Sequence, residues 1–117
     1  MNPKELDSTT FSALLGAVSD VSLTIGGDGI VEEVSTGQDI MATLGCQAWL
    51  GKAWIDTVTV ESKKKIQELL AADKDPTDLT WRHVNHPTPA GNEAAIQYIT
   101  VQLKDNKRLA VGRNLER

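Results

Sequence analysis

Three side chains of the types that commonly hold transition metals occur in this chain: Cys46, His83 and His86. A structural zinc site uses about four cysteine or histidine ligands at close spacing. His83 and His86 are three residues apart in a segment with a strand pattern, so they point to opposite faces and are poor joint ligands. We therefore predict no metal site, and we interpret them as surface histidines that titrate near neutral pH.

The carboxylates and glycines do not form a catalytic pattern either. Asp28 belongs to a turn, and Glu32 and Glu33 point to opposite faces of one strand. The glycine-rich residues 26–29 fit a hairpin turn rather than a phosphate-binding loop, and the chain has no nucleophile-elbow motif. These observations predict that the protein is not an enzyme.

Size, charge and cysteine content narrow the class of protein. A chain of 117 residues has room for one domain with a modest core. A net charge of −4 argues against nucleic-acid binding by this chain alone. No apolar run approaches the ~20 residues of a membrane helix, and no signal-peptide pattern opens the chain. With Cys46 as its single cysteine, the chain suits a reducing compartment, which predicts a cytoplasmic protein.

The elements that must position these side chains begin with a helix and a hairpin. Residues 21–35 alternate apolar and polar side chains around Gly27, Asp28 and Gly29, which predicts two strands joined by a tight turn. Before them, an amphipathic helix begins at Asp7 or Ser8 and carries an apolar stripe at helical spacing. The residues of the stripe are Phe11, Leu14, Leu15 and Val18.

The rest of the chain predicts short helices and three more strands. The short helical pieces cover residues 39–45, 47–50 and 52–58, and a longer helix capped by Thr59 covers residues 59–72. The strands cover residues 79–84, 94–103 and 108–112. In the second of these, the apolar side chains change from one face to the other, which indicates a β-bulge or a strand covered on both faces.

This order of elements, with the Asp28-Gly29 turn after the first strand, resembles a PAS domain. Residues 51–54 (Gly-Lys-Ala-Trp) are similar to the start of the fifth element in that family. The resemblance covers residues 9–115 and implies an α+β PAS fold, in which a five-stranded antiparallel sheet has helices on one face plus an N-terminal helix. It divides the chain into a tail at 1–8, a PAS domain at 9–113 and the start of a linker at 114–117.

A narrower resemblance is to the N-terminal domain of the PpsR/CrtJ photosynthesis-gene repressors. It rests on residues 17–34, 81–86 (WRHVNH), 96–99 (IQYI) and 109–115 (LAVGRNL). It implies a redox- or light-responsive repressor that binds an antirepressor protein and that contacts DNA only through a C-terminal helix-turn-helix absent from this chain. The alternative is a ligand-binding sensor domain of a histidine kinase or a cyclic-dinucleotide enzyme.

The sequence lacks the motifs with which PAS domains bind flavin or haem. The surroundings of Cys46 superficially resemble the flavin-adduct motif of LOV domains, but Gly45 and Gln47 stand where that motif has Asn and Arg. Haem-binding PAS domains usually carry a histidine on the long helix, and residues 59–72 contain none. We predict no cofactor and interpret Cys46 as a semi-buried packing thiol, with oxidation between molecules as the alternative.

Two sets of apolar side chains are candidates for binding. The first could line a pocket between sheet and helices, although we favour a filled core: Ile40, Met41, Leu44, Trp54 and Ile55, with Leu23 and Val101. The second predicts a homodimer or higher homo-oligomer: Phe11, Leu14, Leu15, Val18, Ile99 and Val101.

Overall fold

The computed structural model describes residues 20–36, 44–71 and 80–115. In these residues, five strands form one antiparallel sheet in the order β2-β1-β5-β4-β3, which confirms the expected sheet. The strands are β1 (Val21–Ile25), β2 (Val31–Thr36), β3 (Arg82–Pro87), β4 (Glu93–Gln102) and β5 (Arg108–Asn114). The predicted N-terminal helix, with Phe11, Leu14, Leu15 and Val18, lies outside the described residues.

Short helices pack against one face of the sheet, which we name the inner face. They are the 3-10 helices Cys46–Trp49, Trp54–Thr57 and Val60–Ser62, followed by the helix α1 (Lys63–Leu69). The expected long helix is therefore shorter, and the side-chain cap expected at Thr59 is wrong. The hydroxyl of Thr59 donates instead to the hydroxyl of Ser62 at 3.1 Å.

The β1–β2 hairpin forms as expected, but its turn has fewer residues with a positive φ than expected. Within residues 26–30, only Gly29 has a positive φ, at 83°, while Gly27 does not. The carboxylate of Asp28 fixes the turn because it accepts a hydrogen bond from the backbone N–H of Ile30 at 3.1 Å. Glu32 follows as a bulge, since the register passes directly from Val31 to Glu33.

The strand register assigns the apolar residues of β4 to two faces. Ile96 and Tyr98 are buried on the inner face, while Ile99 and Val101 are half-buried on the outer face. The pairing of β4 with β3 and β5 has no interruption, so the bulge alternative is wrong and both faces of the strand are apolar. Val101 cannot line an inner pocket with Leu23, because the two side chains lie on opposite faces of the sheet.

The inner face also holds the C-terminal end of α1. The hydroxyl of Thr100 donates to the carbonyl of Leu69 at 3.1 Å, and the guanidinium of Arg108 donates to the carbonyl of Ala71 at 3.1 Å. Carbonyls at the end of a helix lack hydrogen-bond donors within the helix, so side chains of β4 and β5 supply these donors. Among the described helices, none has the length and apolar character needed to span a bilayer.

The first and last parts of the described sheet meet at one end of the adjacent strands β1 and β5. The backbone N–H of Asp20 donates to the carbonyl of Gly112 at 3.0 Å. The backbone N–H of Asn114 donates to the carboxylate of Asp20 at 2.6 Å. β5 continues to Asn114, two residues beyond its expected end, because the Asp20 carboxylate accepts the hydrogen bond of the backbone N–H there.

Candidate functional site

A buried histidine lies on the inner face of the edge strand β3. His86 of β3 has no exposed surface, and its Nδ1 lies 2.7 Å from the carbonyl oxygen of Thr57. Its Nε2 lies 2.8 Å from the phenolic oxygen of Tyr98. Because a carbonyl only accepts hydrogen bonds, these contacts assign the proton to Nδ1 and make Nε2 the acceptor of the Tyr98 hydroxyl. The interpretation as a surface histidine is thus wrong for His86, whereas His83 is exposed.

Two tryptophans complete the surroundings of this pair. Trp49 stacks on the His86 ring with the ring centres 4.1 Å apart and the planes 22° apart. Trp54 meets Tyr98 edge to face at 5.1 Å. The sequence carries one signal for this burial, because alternation within β3 places His86 on the same face as the apolar Val84.

Burial dominates the proton equilibria of the pair. It lowers the pKa of His86 to about 4, against the opposing effect of the hydrogen bond to the Thr57 carbonyl. It raises the pKa of Tyr98 well above the usual value, and the nearby Cys46 adds to this shift. The indole N–H of Trp54 lowers the pKa of Tyr98. This N–H is buried and makes no well-formed hydrogen bond to any described residue. Both side chains of the pair are therefore neutral at pH 7.

Cys46 is part of the same buried region. It has no exposed surface, and burial raises the pKa of its thiol, while its backbone hydrogen bond and the Thr36 hydroxyl lower it. A buried neutral thiol is a weak nucleophile and a small packing side chain. Among the described residues, no three histidine, cysteine or carboxylate side chains come together to hold a metal ion.

A cleft with a volume of about 220 Å³ opens beside these aromatic rings. It lies between the first two 3-10 helices and the turn that follows β3, and it is lined by Leu44, Gly45, Ala48, Trp49, Lys52, Asp56, Thr57, Pro87 and Pro89. The two walls come close at Gly45, where an added Cβ would lie 2.7 Å from Pro89. Gly45 also has a φ of 70°, so this narrow point requires glycine.

Comparison with known proteins decides the fold. No protein-family model and no curated protein matches the chain. Solved structures do match. The PAS domain of an HTR-like protein from Haloarcula marismortui is 18% identical with a TM-score of 0.63, and the match covers 92% of this chain and 91% of that one. The PAS domain of the fruit-fly ELK potassium channel is 9% identical with a TM-score of 0.65, and the match covers 97% and 100%. This chain adopts the PAS fold.

A third solved structure also matches. A domain of the sensory box sensor histidine kinase/response regulator from Geobacter sulfurreducens is 17% identical with a TM-score of 0.62, and the match covers 91% of this chain and 92% of that one. Domains of an HTR-like protein, a potassium channel and a histidine kinase/response regulator are thus similar in structure to this chain, so the fold by itself does not fix what the module controls.

Within this PAS fold, the space between the sheet and the short helices is occupied by side chains. Leu44 and Trp54 are buried there with Leu23, while Ile55 is only partly buried. Ile40 and Met41, also predicted to line a pocket, lie outside the described residues. The large fully buried side chains in this PAS interior include Trp54, Tyr98, Leu23, Leu44 and His86.

Proposed function

We propose that this chain is a non-catalytic PAS module of a bacterial redox- or light-responsive transcription regulator, a repressor of photosynthesis genes. In this proposal it works in the cytoplasm, holds copies of the regulator together and binds a partner such as an antirepressor. DNA contact belongs to a helix-turn-helix outside this chain. The observation that carries the proposal is the PAS fold with Trp54, Tyr98 and His86 filling its interior.

The chemistry of the described residues supports a role without catalysis. His86 is neutral and inaccessible at pH 7, so it cannot exchange protons with a substrate. Cys46 is buried with a raised pKa, which disfavours nucleophilic attack. A module of this kind acts through binding and conformational coupling.

The β4 part of the outer face supports self-association. Ile99 and Val101 of β4 keep partial exposure there in the single chain, whereas Leu109 of β5, which pairs with Val101, is buried. At one side of this face, the guanidinium of Arg113 lies 4.0 Å from the ring centre of Trp81 and donates to the Gln97 side chain. Partly exposed apolar side chains beside polar and aromatic ones are a usual composition of a protein interface.

Sedimentation equilibrium tests self-association. We expect a dimer or higher oligomer at about 100 μM, because association follows concentration by mass action. Ile99→Lys, Val101→Lys and Leu15→Asp should each shift the protein to monomer. Val60→Lys is the matched control, since Val60 is 78% exposed on the other side of the fold. A wild-type monomer at this concentration would contradict the proposal.

The coding sequence beyond Arg117 tests the repressor role. A glutamine-rich helix and a helix-turn-helix support it, whereas kinase helices or a cyclic-dinucleotide domain would establish the alternative sensor class instead. A visible absorption spectrum of the purified chain is a second test: a flavin or haem band would contradict the prediction of no cofactor.

A further inference from the structure

We propose that the cleft between the short helices and the β3–β4 turn binds a small zwitterion of the free amino acid class. We further propose that Trp49 and Thr57 transmit its binding to the sheet through His86 and Tyr98. This site is separate from the filled interior and from the outer face on which self-association rests.

The size and the walls of the cleft limit its ligand. At about 220 Å³ it is smaller than the ~300 Å³ lower end of pockets for drug-sized molecules, so its ligand is correspondingly small. Leu44, Trp49, Pro87 and Pro89 supply apolar surface, which suits an aliphatic side chain.

Two opposite charges at the cleft define the polar part of the ligand. Lys52 and Asp56 both line it and both are exposed. The ion pairs of the described residues join Arg82 to Glu68 and Lys107 to Glu32, so neither Lys52 nor Asp56 is already paired there. A ligand with one ammonium and one carboxylate satisfies both charges, whereas a simple anion or cation would be repelled by one of them.

The cleft has direct contact with the buried histidine. Trp49 lines it and stacks on the ring of His86. Thr57 also lines it, and its carbonyl accepts the Nδ1–H of His86. The Thr57 hydroxyl donates to the carbonyl of Trp54 at 2.6 Å, which holds this segment in place. A ligand that displaces either wall residue must change the surroundings of His86, and through Nε2 those of Tyr98 on β4.

Binding can be measured by NMR titration of the 117-residue chain with L-leucine. Two analogues each lack one charge: 4-methylpentanoate has no ammonium, and 3-methylbutylamine has no carboxylate. We expect saturable shifts at Trp49 and Thr57 with L-leucine, and affinity at least about tenfold weaker for either analogue. Equal affinity for an analogue, or shifts that avoid the cleft, would overturn the proposal. L-valine and L-proline extend the test to smaller side chains, and failure of all three to bind would also overturn it.

Charge variants test the site without disturbing the core. Lys52→Gln and Asp56→Asn change exposed side chains, and each should weaken L-leucine binding at least about tenfold. Lys64→Gln is the matched control, because Lys64 is an exposed lysine of α1 that does not line the cleft. Unchanged binding in both cleft variants would refute the assignment of these charges.

The transmission step has its own readout in the unaltered protein. The ¹⁵N resonances of His86 Nδ1 and Nε2 should move in proportion to saturation of the cleft, while those of the exposed His83 should not. Saturation with no change at His86 would overturn the transmission step. Self-association is measured by mass, so its failure is distinguishable from a failure of ligand binding.

Discussion

The Nε2 atom of His86 accepts a hydrogen bond of 2.8 Å from the hydroxyl of Tyr98, and neither side chain has exposed surface. On its other side, His86 donates from Nδ1 to the carbonyl of Thr57. One imidazole ring therefore ties two adjacent strands to a short helix that is distant in sequence. The neutral ring satisfies both of its nitrogens in this arrangement, and burial disfavours the protonated ring, which makes this position sensitive to acid.

We expect the free energy of unfolding to fall as the pH falls from about 6.5 to about 4. The pKa of His86 is about 4 in the folded chain and about 6.5 in the unfolded chain, so the unfolded state takes up the proton first. The loss from this group approaches about 3 kcal/mol, because one pKa unit corresponds to about 1.4 kcal/mol. Urea unfolding at constant ionic strength across this range measures it.

Two histidine variants separate this effect from other titrations. His86→Gln should be less stable near neutral pH and should show a flatter pH dependence, since the titrating group is gone. His83→Gln should retain the wild-type pH dependence, because His83 is exposed. A full pH dependence in His86→Gln would assign the effect to other groups.

We expect Tyr98→Phe to destabilise the fold by about 1–3 kcal/mol, because it leaves the buried Nε2 of His86 without its donor. The change removes one oxygen atom and leaves the packing of the ring in place. The loss should be measured by chemical unfolding near pH 7. A cost that persists undiminished in a His86→Phe background would mean that the hydrogen bond is not its source.

We expect Thr24→Val to have the opposite sign and to stabilise the fold by up to about 1 kcal/mol. Thr24 has no exposed surface, and its hydroxyl has no hydrogen-bond partner in the part of the chain that the structure describes. Valine keeps the β-branched shape and removes the unpaired group. Thr100→Val is the control and should destabilise, because the Thr100 hydroxyl binds the Leu69 carbonyl. Destabilisation by Thr24→Val would show that its hydroxyl is paired in solution.

We expect Cys46 to react slowly with iodoacetamide in the folded protein and rapidly in denaturant. The thiol is buried and its pKa is raised, so both access and the thiolate fraction are low. Mass spectrometry of timed samples gives both rates. Rapid, complete alkylation of the native protein would instead favour the alternative that Cys46 is oxidised between molecules.

Local patterns were sufficient to predict much of the sheet. Alternation identified β1 and β2, because the apolar side chains of each strand lie on the inner face, and the Asp28-Gly29 turn fixed their connection. The same alternation was ambiguous for β4, where Ile99 and Val101 add apolar residues on the second face. Only the pairing with both neighbours settled that strand.

The buried histidine could not be predicted in the same way. The contacts that bury His86 come from Thr57, which is 29 residues away, and from Trp49, on a short helix whose packing the sequence pattern does not specify. A polar side chain is exposed more often than buried, so the pattern alone favours the surface. The cleft depends on the same tertiary contacts, which is why no motif marked Lys52 and Asp56 together.

The hydrogen bond between Asp20 and Asn114 also affects how this fold can be combined with other proteins. Its 2.6 Å length means that the sheet starts and finishes at one place on its surface. Segments that enter the sheet at Asp20 and leave it at Asn114 therefore do so side by side, an arrangement that suits insertion into a surface loop of a host protein with little separation of the two loop ends.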